Sequence, residues 1–448
     1  MNKIKHMLVV LNLLWGFTNN AQTYTIKEQK PIKAFINVHV LTMQDSIPKM
    51  SQTVIIKNDK IIKIGASKDI QIPDGAKIID GQNIKYLIPG LTDTHVHLGH
   101  KGSEEWIRAY VNSGVTTVLN LGGSKKVLKL RENIKNKKIL GPDIYTAGQG
   151  GVVRELNRKN FKEVSLTKIE ERIIEDKEKG YDFIKIYGQM TIPQFEHMMK
   201  IAKREGVHAM GHIPRNLTAD DALRIGQKSM AHTEEFIYTQ FTEFDEQEVI
   251  DFASKAAAKN IWLIANMIAY EKIELTWGKP QVMDSILQIP ETNHLHPKIK
   301  KIYKEDWYGS RDFNSRNYIE KVYDFYFPIV KHFHKAGVKI LVGTDTAFPG
   351  AAPGESAIDE IKNLTQAGLS SYEAIKAATA NAGEYINHFI DNNYFIGKVQ
   401  EDYTAHIVLL STNPLEDLKV LRNPEGVMLR GHWFDKKDLK EMIQWDQN

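Results

Sequence analysis

The strongest constraint on this chain is a repeated alternation. Short apolar runs of strand length, each ending in small or polar residues, recur at 87–97, 115–121, 143–147, 183–187, 207–212, 228–232, 262–267 and 339–344. Between them lie longer charged stretches, such as 166–179 and 192–205, whose apolar residues follow helical spacing. A strand followed by a helix of this length returns the chain parallel to itself, so the pattern favours a parallel sheet covered by helices.

Eight such units suit the (β/α)8 TIM barrel, in which the C-terminal ends of the strands share one mouth. The flanks read differently. From residue 24 to 85 short β-type runs alternate (35–40, 53–57, 61–64, 77–80) around turn signals at 58–60 and 73–75. The tail from Phe395 returns to this pattern at 397–399, 406–410 and 427–433. The expected fold is therefore α/β: a barrel over 86–394, with a small discontinuous β-sandwich domain formed by 22–85 and 395–448. The link 269–338 is longer than a barrel helix requires and rich in aromatics, Trp277, Trp307, Tyr308, Tyr323 and Tyr326 among them. It reads equally as a lid over the mouth or as a helical insertion on the outside.

The 448 residues are 42% hydrophobic and 25% charged, an ordinary globular balance. Net charge is +4, and the basic residues are scattered; stretches such as 125–138 read as solvated helix faces. Nucleic acid is not an expected partner. Lys3 and Lys5 precede an apolar run at 7–17 and a polar stretch ending at Ala21, the order of a secretory signal peptide over 1–21. Asn19 is not the small residue such a cleavage site prefers. With no cysteine there is neither a disulfide nor a lipid-anchored N-terminus. The mature protein is expected to be secreted or periplasmic, with no membrane span, and a homo-oligomer is left open.

The ionisable residues gather where the strands end. Asp93-Thr94-His95-Val96-His97 closes the first run. Side chains alternate along a strand, so His95 and His97 face the same way and can reach one cation. Lys185 sits among apolar neighbours in Phe183-Ile184-Lys185-Ile186-Tyr187. A lysine in a barrel interior is costly unless paired, neutral or modified. Neutral lysine takes up CO2 to give a carbamate, an anionic oxygen ligand able to bridge two metals. His212 and His232 end successive strands, and Asp345 follows the eighth, where a carboxylate can bind a metal and handle a proton. Each of these residues taken alone has a bland structural explanation; together they reinforce one another.

Four histidines, a lysine and an aspartate at these strand ends resemble the amidohydrolase superfamily, and within it the branch of imidazolonepropionase-related enzymes and metal-dependent Xaa-Pro dipeptidases (prolidases). The resemblance extends to Leu87-Ile88-Pro89-Gly90-Leu91-Thr92 before the histidine pair, to Gly343-Thr344-Asp345, to the helix expected at 371–382, and to Gly397-Lys398. It implies two divalent metal ions, zinc in most relatives. His95, His97 and Asp345 would hold the buried metal, His212 and His232 the exposed one, and carboxylated Lys185 would bridge them. Two departures stand out: Ala405-His406-Ile407-Val408 replaces Ala-Asp-Leu-Val, and Gly354-Glu355-Ser356-Ala357 replaces His-x-Glu-Leu.

The expected chemistry is hydrolysis of a C–N bond in a small molecule or dipeptide, with Asp345 moving the proton and a prolidase-type dipeptidase favoured. Tyr187, two residues past Lys185, faces the same way and can donate to a carbonyl; Arg215 can bind a substrate carboxylate; Tyr238 can line the mouth. Glu234 and Glu235 suit the first turn of a helix. Two other readings remain. A mononuclear deaminase or imidazolonepropionase-like cyclic amidase needs no bridging lysine, and it tends to carry a glutamate where this chain has Pro214, Arg215 and Asn216. An inactive barrel acting as a binding protein would be expected to have lost ligands.

Overall fold

A computed structural model describes residues 29–99, 102–149, 164–188, 190–288, 292, 293, 295–305 and 308–445. The expected signal peptide, 1–21, lies outside these residues, as does Trp307.

The strands in chain order are β1 (Ile32–Val40), β2 (Lys49–Lys57), β3 (Lys60–Ala66), β4 (Lys77–Asp80), β5 (Tyr86–Pro89), β6 (Leu91–Val96), β7 (Val115–Asn120), β8 (Asp143–Thr146), β9 (Phe183–Ile186), β10 (His208–Gly211), β11 (Ser229–Ala231), β12 (Trp262–Ile264), β13 (Lys339–Leu341), β14 (Ile407–Leu410), β15 (Gly426–Leu429) and β16 (His432–Asp435). The fold is α/β. Strands β6 to β8 form a parallel three-stranded sheet, and β9 to β13 a parallel five-stranded one. Their edges meet twice. Ala147 bridges Phe183 in parallel, with Gly148 N–H donating to Phe183 O at 3.1 Å. Val96 bridges Thr346, and Asp345 N–H donates to His95 O at 2.7 Å.

The period-2 pattern sets the two faces. Leu119, Phe183, Met210, Ala231, Trp262, Ile264 and Leu341, drawn from β7 and from β9 to β13, share one apolar cluster with Tyr385 and Ile386. Their neighbours Val118, Ile184, Ala209, Met230, Leu263 and Ile340 pack the other way, against the helices. The helices Leu166–Glu178 and Ile192–Glu205 run where helical spacing placed them. Capping is explicit at the second: Thr191 accepts from Gln194 N–H, and the Gln194 side chain accepts from Thr191 N–H.

The N- and C-terminal strands join one eight-stranded sheet in the order β16-β15-β14-β5-β1-β2-β3, with β4 beside β1. It encloses its own core, including Phe35, Val54, Ile407 and Trp433. Here the structure corrects three sequence readings. The run 87–97 is two strands, β5 in this sheet and β6 in the parallel one. The break falls at Gly90, where a Cβ would lie 2.3 Å from Thr116 Oγ1. The run 427–433 is interrupted by a two-residue turn at Arg430–Gly431, both at positive φ, which makes a hairpin of β15 and β16. The expected helix 371–382 is two helices, Ser371–Ala377 and Ala380–Phe389. At its break, Ala378–Thr379, the Gly397 backbone comes so close that a Cβ there would lie 2.3 Å from Thr379 O.

The link 269–338 is mainly helical, ending in the helix Arg316–Ala336, which packs on the helices Thr233–Thr239, Glu246–Ala258 and Met267–Thr276. No helix among the described residues is long and apolar enough to cross a membrane.

Candidate metal centre

Five of the six ligand candidates interlock at the strand ends through ring contacts and ion pairs. His95 and His97, at the end of β6, bring both Nε2 atoms to Asp345 Oδ1, at 3.2 and 2.8 Å. The His95 and His232 rings lie 4.7 Å apart, and those of His232 and His212 4.5 Å. Ligand atoms of His95, His232 and Asp345 all fall within 4.8 Å of one another. Asp345 at φ 59° and His232 at φ 72° hold backbone conformations that non-glycine residues rarely adopt, and such strain gathers at functional sites.

Lys185 sits on β9 with its side chain on the same side as Phe183. It is 2% exposed, and its Nζ has no hydrogen-bond partner among the described residues. Burial lowers its pKa to about 8, against the pull of Asp345, Glu235 and Glu234. Room for it comes from Gly211, at φ 138°, where a Cβ would stand 2.9 Å from Lys185 Cδ. Burial also lowers His95 to about 4, helped by the Lys185 charge, and carries His212 and His232 well below the ordinary imidazole value. Burial would raise Asp345, but His95 and His97 hold it well below the usual carboxylate range. The result is imidazoles held neutral at His95, His212 and His232 beside an ionised Asp345, the protonation state that metal ligands need.

Hydrogen bonds fix the ring orientations. His212 Nδ1 lies 3.2 Å from Ile186 O and His95 Nδ1 3.2 Å from Asn266 Oδ1, leaving each Nε2 directed elsewhere. Buried Asp93 accepts from Thr344 Oγ1 at 2.6 Å and from the N–H groups of Thr344 and His95, tying the loop that carries Asp345 to β6.

Of the expected substrate contacts, Tyr187 does face the site: its ring stacks on His212 at 5.9 Å, and Lys185 Nζ lies 5.6 Å from its centroid. Arg215 is anchored on one side. Its guanidinium is engaged by two bonds, at 3.3 and 3.0 Å, to the buried Glu235, a carboxylate that needs a cation where it lies. Tyr238 packs under that guanidinium at 4.8 Å and shares its hydroxyl with Tyr270 at 3.2 Å. Glu234 and Glu235 do open the helix Thr233–Thr239, and they also turn inward. Glu234, raised by burial to about 8, accepts a short hydrogen bond from Tyr326 of the long link, with its other oxygen 3.6 Å from His232 Nδ1. Sequence reasoning missed Asn266, Asp93 and Tyr326. The first had a signal, a polar residue ending an apolar strand; Tyr326, held by tertiary packing alone, had none.

Imidazoles held neutral at His95, His212 and His232, a low-lying carboxylate and a buried lysine with no hydrogen-bond partner among the described residues define a metallohydrolase-type site on parallel strand ends, and the chain belongs to the amidohydrolase family, whose model matches residues 86–434. Among curated proteins it is similar to the ochratoxinase of Aspergillus niger, 42% identical over 93 residues; the match covers 21% of this chain and only 18% of that protein. Among solved structures it resembles a bottromycin amidohydrolase (TM-score 0.72, 19% identity, 93% of this chain and 89% of that one). It also resembles a Xaa-Pro dipeptidase with bound methionine (TM-score 0.67, 19% identity, 90% and 100%). At these identities the structural likenesses speak for the fold.

Proposed function

We propose that this chain is a binuclear metal-dependent amidohydrolase that cleaves a C–N bond, with a prolidase-type dipeptidase as the favoured activity. The observation that carries the reading is Lys185: a buried amine with no hydrogen-bond partner among the described residues, whose charge depresses His95, His212 and His232 alike. As a carbamate it would become the anion that two cations share. His95, His97 and Asp345 would hold one cation, His212 and His232 the other, zinc by preference for this nitrogen and oxygen set. When bound, such metals activate water at neutral pH and polarise the scissile carbonyl.

The chain's own residues would do the rest. Asp345 Oδ1, facing His95 and His97, would take the proton of the attacking water and return it to the departing amine. The Tyr187 hydroxyl, on the lysine's side of β9, would donate to the developing oxyanion. Arg215, anchored by Glu235 and half exposed, would offer its remaining N–H groups to a substrate carboxylate. Two seams of backbone hydrogen bonds, at Ala147–Phe183 and Val96–Thr346, and the shared interior cluster support one closed (β/α)8 barrel over 86–394. The eight-stranded sheet would be its discontinuous companion domain, built from 22–85 and 395–448. The segment 1–21 would direct export.

The test is metal analysis with a hydrolysis screen. The expected result is two metal equivalents per chain and turnover of Xaa-Pro and other dipeptides, with Lys185→Ala losing metal and at least 100-fold in rate. One equivalent, with Lys185→Ala fully active, would favour a mononuclear reading. The ochratoxinase match earns ochratoxin and N-acyl amino acids a place in the same screen.

A further inference from the structure

The seventh parallel strand, β12, supplies none of the six ligand candidates, yet the residue just past its end touches two of them. We propose that Asn266 is the positioning residue of the metal centre: its amide oxygen sets the tautomer of His95 and holds His95 in register with His232. The inference rests on the metal-centre reading above and adds a residue that reading does not use.

Asn266 Oδ1 lies 3.2 Å from His95 Nδ1 and 3.2 Å from the backbone N of His232. A backbone N–H can only donate, so the atom it points at is the oxygen of the amide, not the nitrogen. That His232 N–H is shared with Ile264 O at 3.1 Å leaves the argument intact, because both are acceptors. An oxygen facing His95 Nδ1 requires a proton there. With a cation bound, the lone pair of the neutral imidazole would then be on Nε2, which lies 3.2 Å from Asp345 Oδ1, the carboxylate proposed to share that cation.

The asparagine is itself fixed. It is fully buried, at φ 52°, a left-handed conformation asparagine tolerates better than most residues. The next two N–H groups, of Met267 and Ile268, donate to the buried Glu360 carboxylate at 2.9 and 2.6 Å. On the other side Gly343 keeps the approach open; a Cβ there would lie 3.3 Å from Asn266 Nδ2 and 2.9 Å from His95 Cβ. A residue in this place fixes ring direction on one ligand strand and backbone height on another, so a single oxygen governs the separation of ligands assigned to different metals.

The experiment compares full-length wild type with Asn266→Leu, Asn266→Ala and Asn266→Asp for zinc affinity, by competition with a chromophoric chelator. Leucine fills the space without an acceptor, whereas aspartate keeps the acceptor. Leucine and alanine are expected to weaken zinc binding 10- to 100-fold, and aspartate to restore it to within about threefold. Leucine binding zinc within twofold of wild type, or aspartate as weak as leucine, overturns the proposal. If the leucine and alanine variants fail to fold, 15N-imidazole spectra of the zinc-loaded wild type decide: His95 carrying its proton on Nδ1 with Nε2 as the metal-bound nitrogen supports it, and the reverse overturns it. A wild type that binds no zinc removes the functional reading itself, a failure seen before any variant is made.

Discussion

Gly211 shows how a residue with no chemistry can shape this site. Its φ of 138° and the 2.9 Å a Cβ would leave to Lys185 Cδ make it a glycine by necessity rather than by chance. Gly211→Ala is expected to cost roughly 1–3 kcal/mol in urea denaturation through overpacking and backbone strain, and to lower bound metal by displacing the lysine. Gly211→Ala with unchanged metal content would mean that the lysine stem has slack. The ligand candidates themselves were legible in the sequence for a physical reason. Histidine, lysine and aspartate at the ends of apolar strands stand where burial is expensive, and such positions are rarely occupied by accident. Asn266 carries no charge, so it is less costly to bury than the ionisable ligand candidates, and it drew no notice until its two partners appeared.

At the scale of elements, the helix Arg316–Ala336 matters most. It belongs to the link read either as lid or as outer packing, and it packs beside the helix after β11 while sending Tyr326 to Glu234. Tyr326→Phe would strand a buried carboxyl without that donor and is expected to cost about 1–3 kcal/mol, measured by chemical denaturation. A loss within 0.3 kcal/mol would show that this helix does not brace the site. The capping box at Thr191 gives a plainer case: Thr191→Ala should cost about 1 kcal/mol with metal content unchanged. Helices such as this one were readable because amphipathic spacing and caps are local. The split at Gly90 was not, because a continuous apolar run reads the same whichever sheet each half pairs with.

The whole molecule is joined at Asp143, at the start of β8, which accepts from Arg430 at 2.5 Å and pairs with His406 at 3.0 Å. Both partners come from the C-terminal strands, and Tyr394 donates to the same carboxylate. His406, buried beside Asp143, thereby has a structural role in this junction. Burial would raise the Asp143 carboxyl; Arg430 and His406 instead hold it well below the ordinary carboxylate range. The linkage sign follows: the stabilisation is present at any pH above the unfolded carboxylate value and fades as pH falls below it. Asp143→Asn is expected to lower stability by roughly 3 kcal/mol at pH 7, with the gap to wild type closing in strongly acid solution. A gap that is flat from pH 7 to pH 3 would refute this account.

The pairing of β14 with β5, Ile407 opposite Pro89 and Leu410 opposite Tyr86, has a consequence for synthesis. On the ribosome β5 emerges early and must wait, one edge unclaimed, until residues 90–406 have all been translated. During that interval Leu87 and Ile88 present a sticky, strand-shaped ribbon to anything nearby. Nascent chains stalled before residue 407 should therefore be the ones that chaperones hold and that aggregate when chaperones are scarce. Emergence of β14 should end that exposure at a stroke.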